Sequence, residues 1–382
     1  MPLAHSQRIN SLQLFLKSHA IDLALFSVSP VFQYLTGIKG DWRSVSPSDQ
    51  NKATLIVSPV SAPRLLLDLH SADFASETWL DDITIITNQA ELIEILTGYK
   101  TACTAPVPAL AVESTAAVRL EKELRAVFGD LPFIDAAPIA DSLRMLKSPD
   151  EINAMRKAAA ITDAVMAAVV PLIQEGVSQE DLVREIEYQG RRRGAEGTSF
   201  TPAALFSKSG SEPSANPFTW PKDKGLVPGT AIAFDFGFVV DGYCSDFGRS
   251  FYFGPAGDEV CAAYKALHQS LRELTARMLP GSMTTGDLFP ALEQSIDRLG
   301  FGPFLRARLS TGNLGHMIGI EVHEYPWLTP ESSESLREGM IMALEPKLWH
   351  AGEYYLRVED LVLVGADSSE FLTNFDRDLF QL

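Results

Sequence analysis

AIAFDFGFVVDGYCSDFGRS, Ala231 to Ser250, is the stretch on which the reading of this chain turns. Ile232, Phe234 and Phe236 alternate with Ala231, Ala233, Asp235 and Gly237, the period of two of a strand with one apolar face. Asp241-Gly242 is a two-residue hairpin turn signal. With that turn, Asp246 stands opposite Gly237 and diagonal to Asp235, roughly 7–8 Å away at the backbone and on the same face. Two carboxylates among small residues repel unless something positive lies between them. The stretch is therefore either a solvated hairpin face or one side of a cation site, and the hairpin alone does not separate the two.

Working outward, the remaining chain supplies more polar residues where strands would otherwise be apolar. The segments are Gly315-His316-Met317-Ile318-Gly319-Ile320-Glu321-Val322-His323-Glu324, Met340-Ile341-Met342-Ala343-Leu344-Glu345-Pro346 and Leu356-Arg357-Val358-Glu359-Asp360-Leu361. Glu345 falls at the end of one hydrophobic strand and Glu359 inside another, places where a charge is costly unless paired or coordinated. Asp235, Asp246, His316, Glu345 and Glu359 make an oxygen-rich set with one imidazole. Such a set suits two Mn²⁺, Co²⁺, Fe²⁺ or Zn²⁺ ions bridged by carboxylates.

Upstream, a helical pattern over 8–24 leads into apolar runs at 23–28, 53–58, 64–69 and 83–87, alternating with helical patterns at 90–96 and 115–128, which predicts an α/β domain. It holds no His cluster, Gly-rich phosphate loop or nucleophile motif, so a support or oligomerisation domain is expected. Ser148-Pro149-Asp150-Glu151 reads as a helix start, with a domain boundary just before it. That helix is expected to run to about Glu175, and Ser178 to cap the next. Helices are expected again near 258–279 and 284–299, and mostly strands after that.

With 382 residues, two domains are expected. The hydrophobic fraction of 46% fits a globular protein, and a net charge of −17 disfavours nucleic acid and anionic membranes as partners. Three cysteines without metal-type spacing fit reduced thiols in the cytoplasm. The first residues lack the apolar core of a secretory signal, and no run reaches the length of a membrane span.

The segments FDFG, SDFGR, GHMIGIEVHE, LEP and RVED, in this order and spacing, resemble the pita-bread metallopeptidases of family M24, which include Xaa-Pro aminopeptidases and Xaa-Pro dipeptidases (prolidases). Tyr34-Leu35-Thr36-Gly37 resembles an element of the creatinase/prolidase N-terminal domain. The resemblance implies an α/β domain over 1–146 and an α+β pita-bread catalytic domain over 147–382. It implies metal ligation by Asp235, Asp246, His316, Glu345 and Glu359, with Glu345 also handling the proton of the attacking water. It further implies that His323 contacts the substrate amide and stabilises the oxyanion, that Arg357 links to an acidic ligand, and that the chain is a homodimer acting on small peptides. The Tyr34–Gly37 loop, with Asp41-Trp42-Arg43 behind it, is then expected to close over the active site of a second copy.

Two departures stand out. Relatives place a substrate-pocket histidine seventeen residues before the first aspartate, where this chain has Phe218. Gly248 stands where a hydroxyl residue is common. Three readings follow: a peptidase cutting Xaa-Pro bonds, an enzyme of the same scaffold with a non-peptide substrate (an amide hydrolase or metal-dependent lyase), or a non-catalytic metal-binding homologue. A metal-free, creatinase-like amidinohydrolase fits less well, because all five ligand positions are filled.

Overall fold

Apolar runs in the first third of the chain become the strands of a six-stranded sheet. In the computed structural model, which describes residues 2–39, 42, 53–103, 108–113, 118–378 and 380–382, the chain divides into two compact units, Met1–Arg144 and Met145–Leu382. The first unit's sheet has the spatial order Ile83–Ile86, Arg64–Asp68, Ala53–Val57, Leu23–Ser27, Leu110–Val112, Phe133–Asp135. Leu23–Ser27 pairs antiparallel with Ala53–Val57 and parallel with Leu110–Val112. Both central strands are buried along their whole length, as unbroken apolar runs require when a sheet is covered on both faces. Tyr34, Leu35 and Thr36 are not a loop. They finish the helix Pro30–Thr36, which Ser29 caps and Pro30 starts, and Gly37 ends it at φ 80°. Asp41 and Arg43 lie outside the described residues.

The second unit opens as expected: Ser148 and Glu151 form a capping box on the helix Pro149–Val169. That helix stops before Glu175 and tightens into a 3₁₀ turn at Val170–Leu172. Pro171 explains the early end, since it has no N–H to donate and its ring crowds the preceding turn. Ser178 caps the helix Gln179–Arg192.

Thr230–Phe236 is the middle strand of three, between Ala203–Lys208 and Phe247–Phe253. The hairpin has the expected turn, with Asp241 at φ 52° and Gly242 at φ 81°, and the expected register, Val239 opposite Cys244 and Asp235 opposite Gly248. It is, however, split between two sheets at Gly237. There the chains approach so closely that a Cβ would lie 1.9 Å from the Ser245 carbonyl oxygen. Ile232, Phe234 and Phe236 turn into one core with Phe238, Phe247 and Phe251, which leaves Asp235 on the opposite face.

A five-stranded sheet follows, ordered Glu324–Trp327, Gly315–Met317, Ile341–Leu344, Asp360–Leu363, Glu370–Phe371, with a separate hairpin of Lys347–His350 and Tyr354–Arg357. Helices Asp258–Thr275 and Leu288–Arg298 match the expected pair. A short helix, Gly302–Arg308, lies where the sequence predicts strands, and it packs against the Lys347 strand. No helix among the described residues is long and apolar enough to cross a membrane.

Candidate metal centre

Strand register brings three of the five expected ligands, Asp246, His316 and Glu359, to one point and leaves Asp235 and Glu345 joined to it through Arg357. Asp235 is the penultimate residue of its strand, and Asp246 sits in the link just before Phe247–Phe253. His316 is the middle residue of Gly315–Met317. Gly315, at φ 152°, lets that strand lie against its neighbour, since a Cβ there would be 2.0 Å from the Ala343 carbonyl oxygen. Leu344 pairs with Asp360, so Glu345 and Glu359 fall at the next position of the same register. Glu359 is not inside a strand, as the apolar run around it predicts. It lies in the Val358-Glu359 junction between two strands and bridges to Gly248, its N–H donating to the Gly248 carbonyl at 2.8 Å.

One ligand atom from each of Asp246, His316 and Glu359 lies within 4.8 Å of the other two, and all three residues are buried. Nδ1 of His316 is 3.0 Å from the Met317 carbonyl oxygen. A carbonyl only accepts, so Nδ1 carries the proton, and the Nε2 lone pair faces Asp246 Oδ2 at 3.5 Å. Asp235 and Glu345 reach the cluster through cations. Arg357 is paired with Asp235, with Glu345 at 2.9 Å and with Glu359 at 2.5 Å. Its expected link to an acidic ligand is thus a link to three. Lys347, which the motifs do not single out, also donates to Glu345. A signal for it exists: in an extended strand, residues two apart share a side, and Lys347 is two after Glu345.

The electrostatics match the crowding. Burial pushes the Asp246 carboxyl well above the usual carboxylate range, and the charges of Glu359 and Glu345 push it further. Burial raises Glu359 too, against the pull of Arg357. For Lys347, burial pulls down but the Glu345 carboxylate and its neighbours outweigh it, so the ammonium group is held above its ordinary value. Asp235 Oδ1, Asp246 Oδ1 and both carboxylate oxygens of Glu359 are buried without a hydrogen-bond partner, the Arg357–Glu359 contact being close but outside hydrogen-bond geometry. Buried acceptors left without donors are what a coordinated cation satisfies, so this donor set fits a divalent metal.

His323 is exposed, its ring 4.5 Å from that of His316 and tilted over Trp327 at 5.0 Å. Burial of part of the ring and the nearby His316 hold its pKa below the ordinary histidine value. The next residue anchors this segment: Glu324 accepts from Lys147 Nζ at 2.9 Å, both side chains buried, and from the Ile320 N–H. Phe218 does not join the cluster. It packs edge-on against Tyr355 at 5.1 Å, with the Arg308 guanidinium 5.8 Å from its ring. Gly248 has a steric reason, since a Cβ there would lie 2.8 Å from Arg357 Nε and 2.9 Å from Glu359 Cβ.

Comparison with known proteins gives the family. The family model described as metallopeptidase family M24 matches residues 153–366, and that of the creatinase/prolidase N-terminal domain matches 8–146. A Bacillus subtilis protein named "Putative dipeptidase YkvY" is 30% identical over 261 residues, covering 68% of this chain and 69% of that one. Among solved structures, a prolidase from Thermococcus sibiricus superposes with a TM-score of 0.83 at 25% identity, covering 99% of both chains. A dipeptidase from Pyrococcus horikoshii superposes with a TM-score of 0.85 at 23% identity, covering 98% of this chain and 100% of that one. With a family match spanning more than half its length, a creatinase-type N-terminal domain and a pita-bread domain behind it, this chain belongs to metallopeptidase family M24.

Proposed function

We propose that the chain hydrolyses the peptide bond before proline in small peptides, as an Xaa-Pro dipeptidase or aminopeptidase. The observation that carries this reading is the buried cluster of Asp246, His316 and Glu359, its carboxylate oxygens unpartnered, in a chain of this family. Relatives and structural neighbours named dipeptidase and prolidase support the substrate class.

Asp235, Asp246, His316, Glu345 and Glu359 would hold two divalent ions, Mn²⁺, Co²⁺, Fe²⁺ or Zn²⁺. Bound there, such ions supply Lewis acidity and a water acidic enough to ionise near neutral pH. Glu345 takes the proton of that water and delivers it to the departing nitrogen. His323, exposed beside His316, donates a hydrogen bond to the oxygen of the attacked carbonyl. Arg357 is a positioning residue that holds three carboxylates in place. Residues 1–146 act as the support domain and 147–382 as the catalytic domain of a cytoplasmic homodimer.

The test is metal analysis followed by assay. Protein saturated with each of the four ions in turn should bind about two per chain and cleave Xaa-Pro dipeptides or longer Xaa-Pro peptides, and a chelator should remove both properties. Full activity in rigorously metal-free protein would sink the reading.

A further inference from the structure

The helix Asp258–Thr275 carries Cys261, Tyr264, Lys265, His268 and Arg272 at the spacings of three and four that share one side of a helix. With Arg377 and Phe380 of the C-terminal segment they line a cavity of about 570 Å³ within the second unit, the size of a small-molecule site. The cavity shares no lining residue with the metal cluster. His268 and Tyr264 are only 5% and 2% exposed. Among the described residues, neither ring nitrogen of His268 has a hydrogen-bond partner, and nor does the Tyr264 hydroxyl. Arg377 is held by Nη2, which donates to the Thr373 carbonyl at 2.9 Å and lies 3.3 Å from Asp360. Its buried Nε–H is left without an acceptor. One lining thus holds three buried side chains with polar atoms to satisfy, which is costly without a ligand or water. Burial, and after it the charges of Arg249, Arg377 and Arg272, hold the His268 pKa well below the ordinary histidine value. The ring is therefore neutral, with one N–H and one lone pair, and cations surround it. Of the acids on the lining, Glu273 is engaged by Ser295 at 2.6 Å and Arg298 at 2.8 Å, which leaves Asp378 against Lys265, Arg272 and Arg377. A cationic lining stands out in a chain of net charge −17. The rings of Tyr264 and Phe380, stacked 4.2 Å apart, add an apolar wall.

We propose that this cavity is a second ligand site, for a small organic molecule that joins an oxyanion to an apolar body. The oxyanion accepts hydrogen bonds from His268, Tyr264 and Nε of Arg377, and Lys265 and Arg272 supply charge at the exposed rim. The apolar body lies against Tyr264 and Phe380. Carboxylates and phosphate esters share this chemistry, and the probes below separate them. The proposal is independent of the metallopeptidase reading.

Titration calorimetry of the full-length protein with benzoate, phenyl phosphate, inorganic phosphate and the neutral benzamide reads the ligand class. Cys261, on the lining, reports the place: its alkylation by iodoacetamide, followed by mass spectrometry, should slow on binding while that of Cys103 does not change. Benzoate or phenyl phosphate should bind with a Kd of about 1 mM or below, the tighter of the two naming the headgroup. Benzamide should bind about tenfold more weakly than benzoate, and inorganic phosphate about tenfold more weakly than phenyl phosphate. His268→Leu and Tyr264→Phe, which remove buried polar atoms, should each weaken the tighter probe by about tenfold. Arg272→Gln, on the exposed rim, serves the same purpose if neither folds, as judged by circular dichroism. Binding of neither benzoate nor phenyl phosphate, binding without protection of Cys261, equal affinity for benzamide, or unchanged affinity in the variants overturns the site. Equal affinity for phenyl phosphate and inorganic phosphate overturns the part given to the apolar wall.

Discussion

Glu359 and Asp360 are consecutive, both acidic and both fully buried, yet they live in opposite circumstances. Asp360 is fully provided for. Arg249, itself without solvent exposure, meets it in a fork at 2.9 and 3.4 Å, Thr373 Oγ1 donates to it at 2.7 Å, and Arg377 stands 3.3 Å away. Glu359 shares one arginine with two other carboxylates, and neither of its oxygens accepts a hydrogen bond. The same residue class, one position apart, is structural cement in one case and a buried carboxylate without donors, the proposed metal ligand, in the other. Burial of a charge does not mark function by itself; burial without donors does.

Substitution breaks the comparison most sharply. Asp360→Asn leaves the Arg249 charge buried and uncompensated, and should cost about 3–5 kcal/mol of stability, read by denaturant unfolding, with or without metal. Glu359→Gln removes a buried, poorly paired charge. The metal-free protein should keep or gain stability, while most bound metal is lost on dialysis. Equal destabilisation by both changes would erase the difference between the two acids.

The five proposed ligand positions are legible in the sequence because their motifs are local and ordered: Asp235 and Asp246 on the two arms of one hairpin, His316 among glycines, Glu345 and Glu359 against apolar runs. What the sequence hides is what depends on pairing across the fold. That Lys347 faces Arg357 follows from a hairpin register, and that Glu345 and Glu359 share a register position follows from another. The end of the helix at Val169 is different, since Pro171 encodes it locally, yet apolar residues at helical spacing continue past the proline and mask the stop. The helix Gly302–Arg308 is only seven residues long, too short for a periodic pattern to declare itself.

Asp163, close to the Arg249–Asp360 pair, carries a pH dependence of its own. Asp163 accepts from the N–H groups of Asn374 at 2.7 Å and Phe375 at 3.0 Å. Burial nonetheless pushes its carboxyl up to about 6, with help from the charge of Asp360, against the pull of those N–H groups and of Arg249. The folded pKa is raised, so between the ordinary aspartate value of about 4 and this value the native state holds more protons than the unfolded chain. Its contribution to stability is full below that window and is lost as pH rises through it. In metal-free protein Asp163 should accordingly contribute a loss of stability across that window with a slope of at most about one proton, and Asp163→Asn should remove that contribution from the profile. An unchanged profile in the variant would assign the slope to other groups.

The smallest expected effect lies at the rim. Phe218 occupies the position at which relatives are expected to carry a pocket histidine, and the structure leaves it 37% exposed, edge-on to Tyr355 and under Arg308. A phenyl ring offers apolar area and a π-face but neither donates nor accepts a hydrogen bond. If substrate passes along this flank, the wild type holds it by contact alone, and an imidazole at this position would add one polar tether without touching Asp246, His316 or Glu359. Phe218→His should therefore raise kcat/KM on Xaa-Pro substrates by about tenfold, the equivalent of ~1.4 kcal/mol in the barrier, with metal content unchanged. The paired measurement of kinetics and bound metal matters here. A gain accompanied by altered metal content would mean that the change had reached the ligand cluster through Tyr355, whose buried phenol feels the charge of Lys347. Wild-type turnover of such dipeptides already at the rate of an efficient enzyme would show that the phenyl ring stands in for no missing contact.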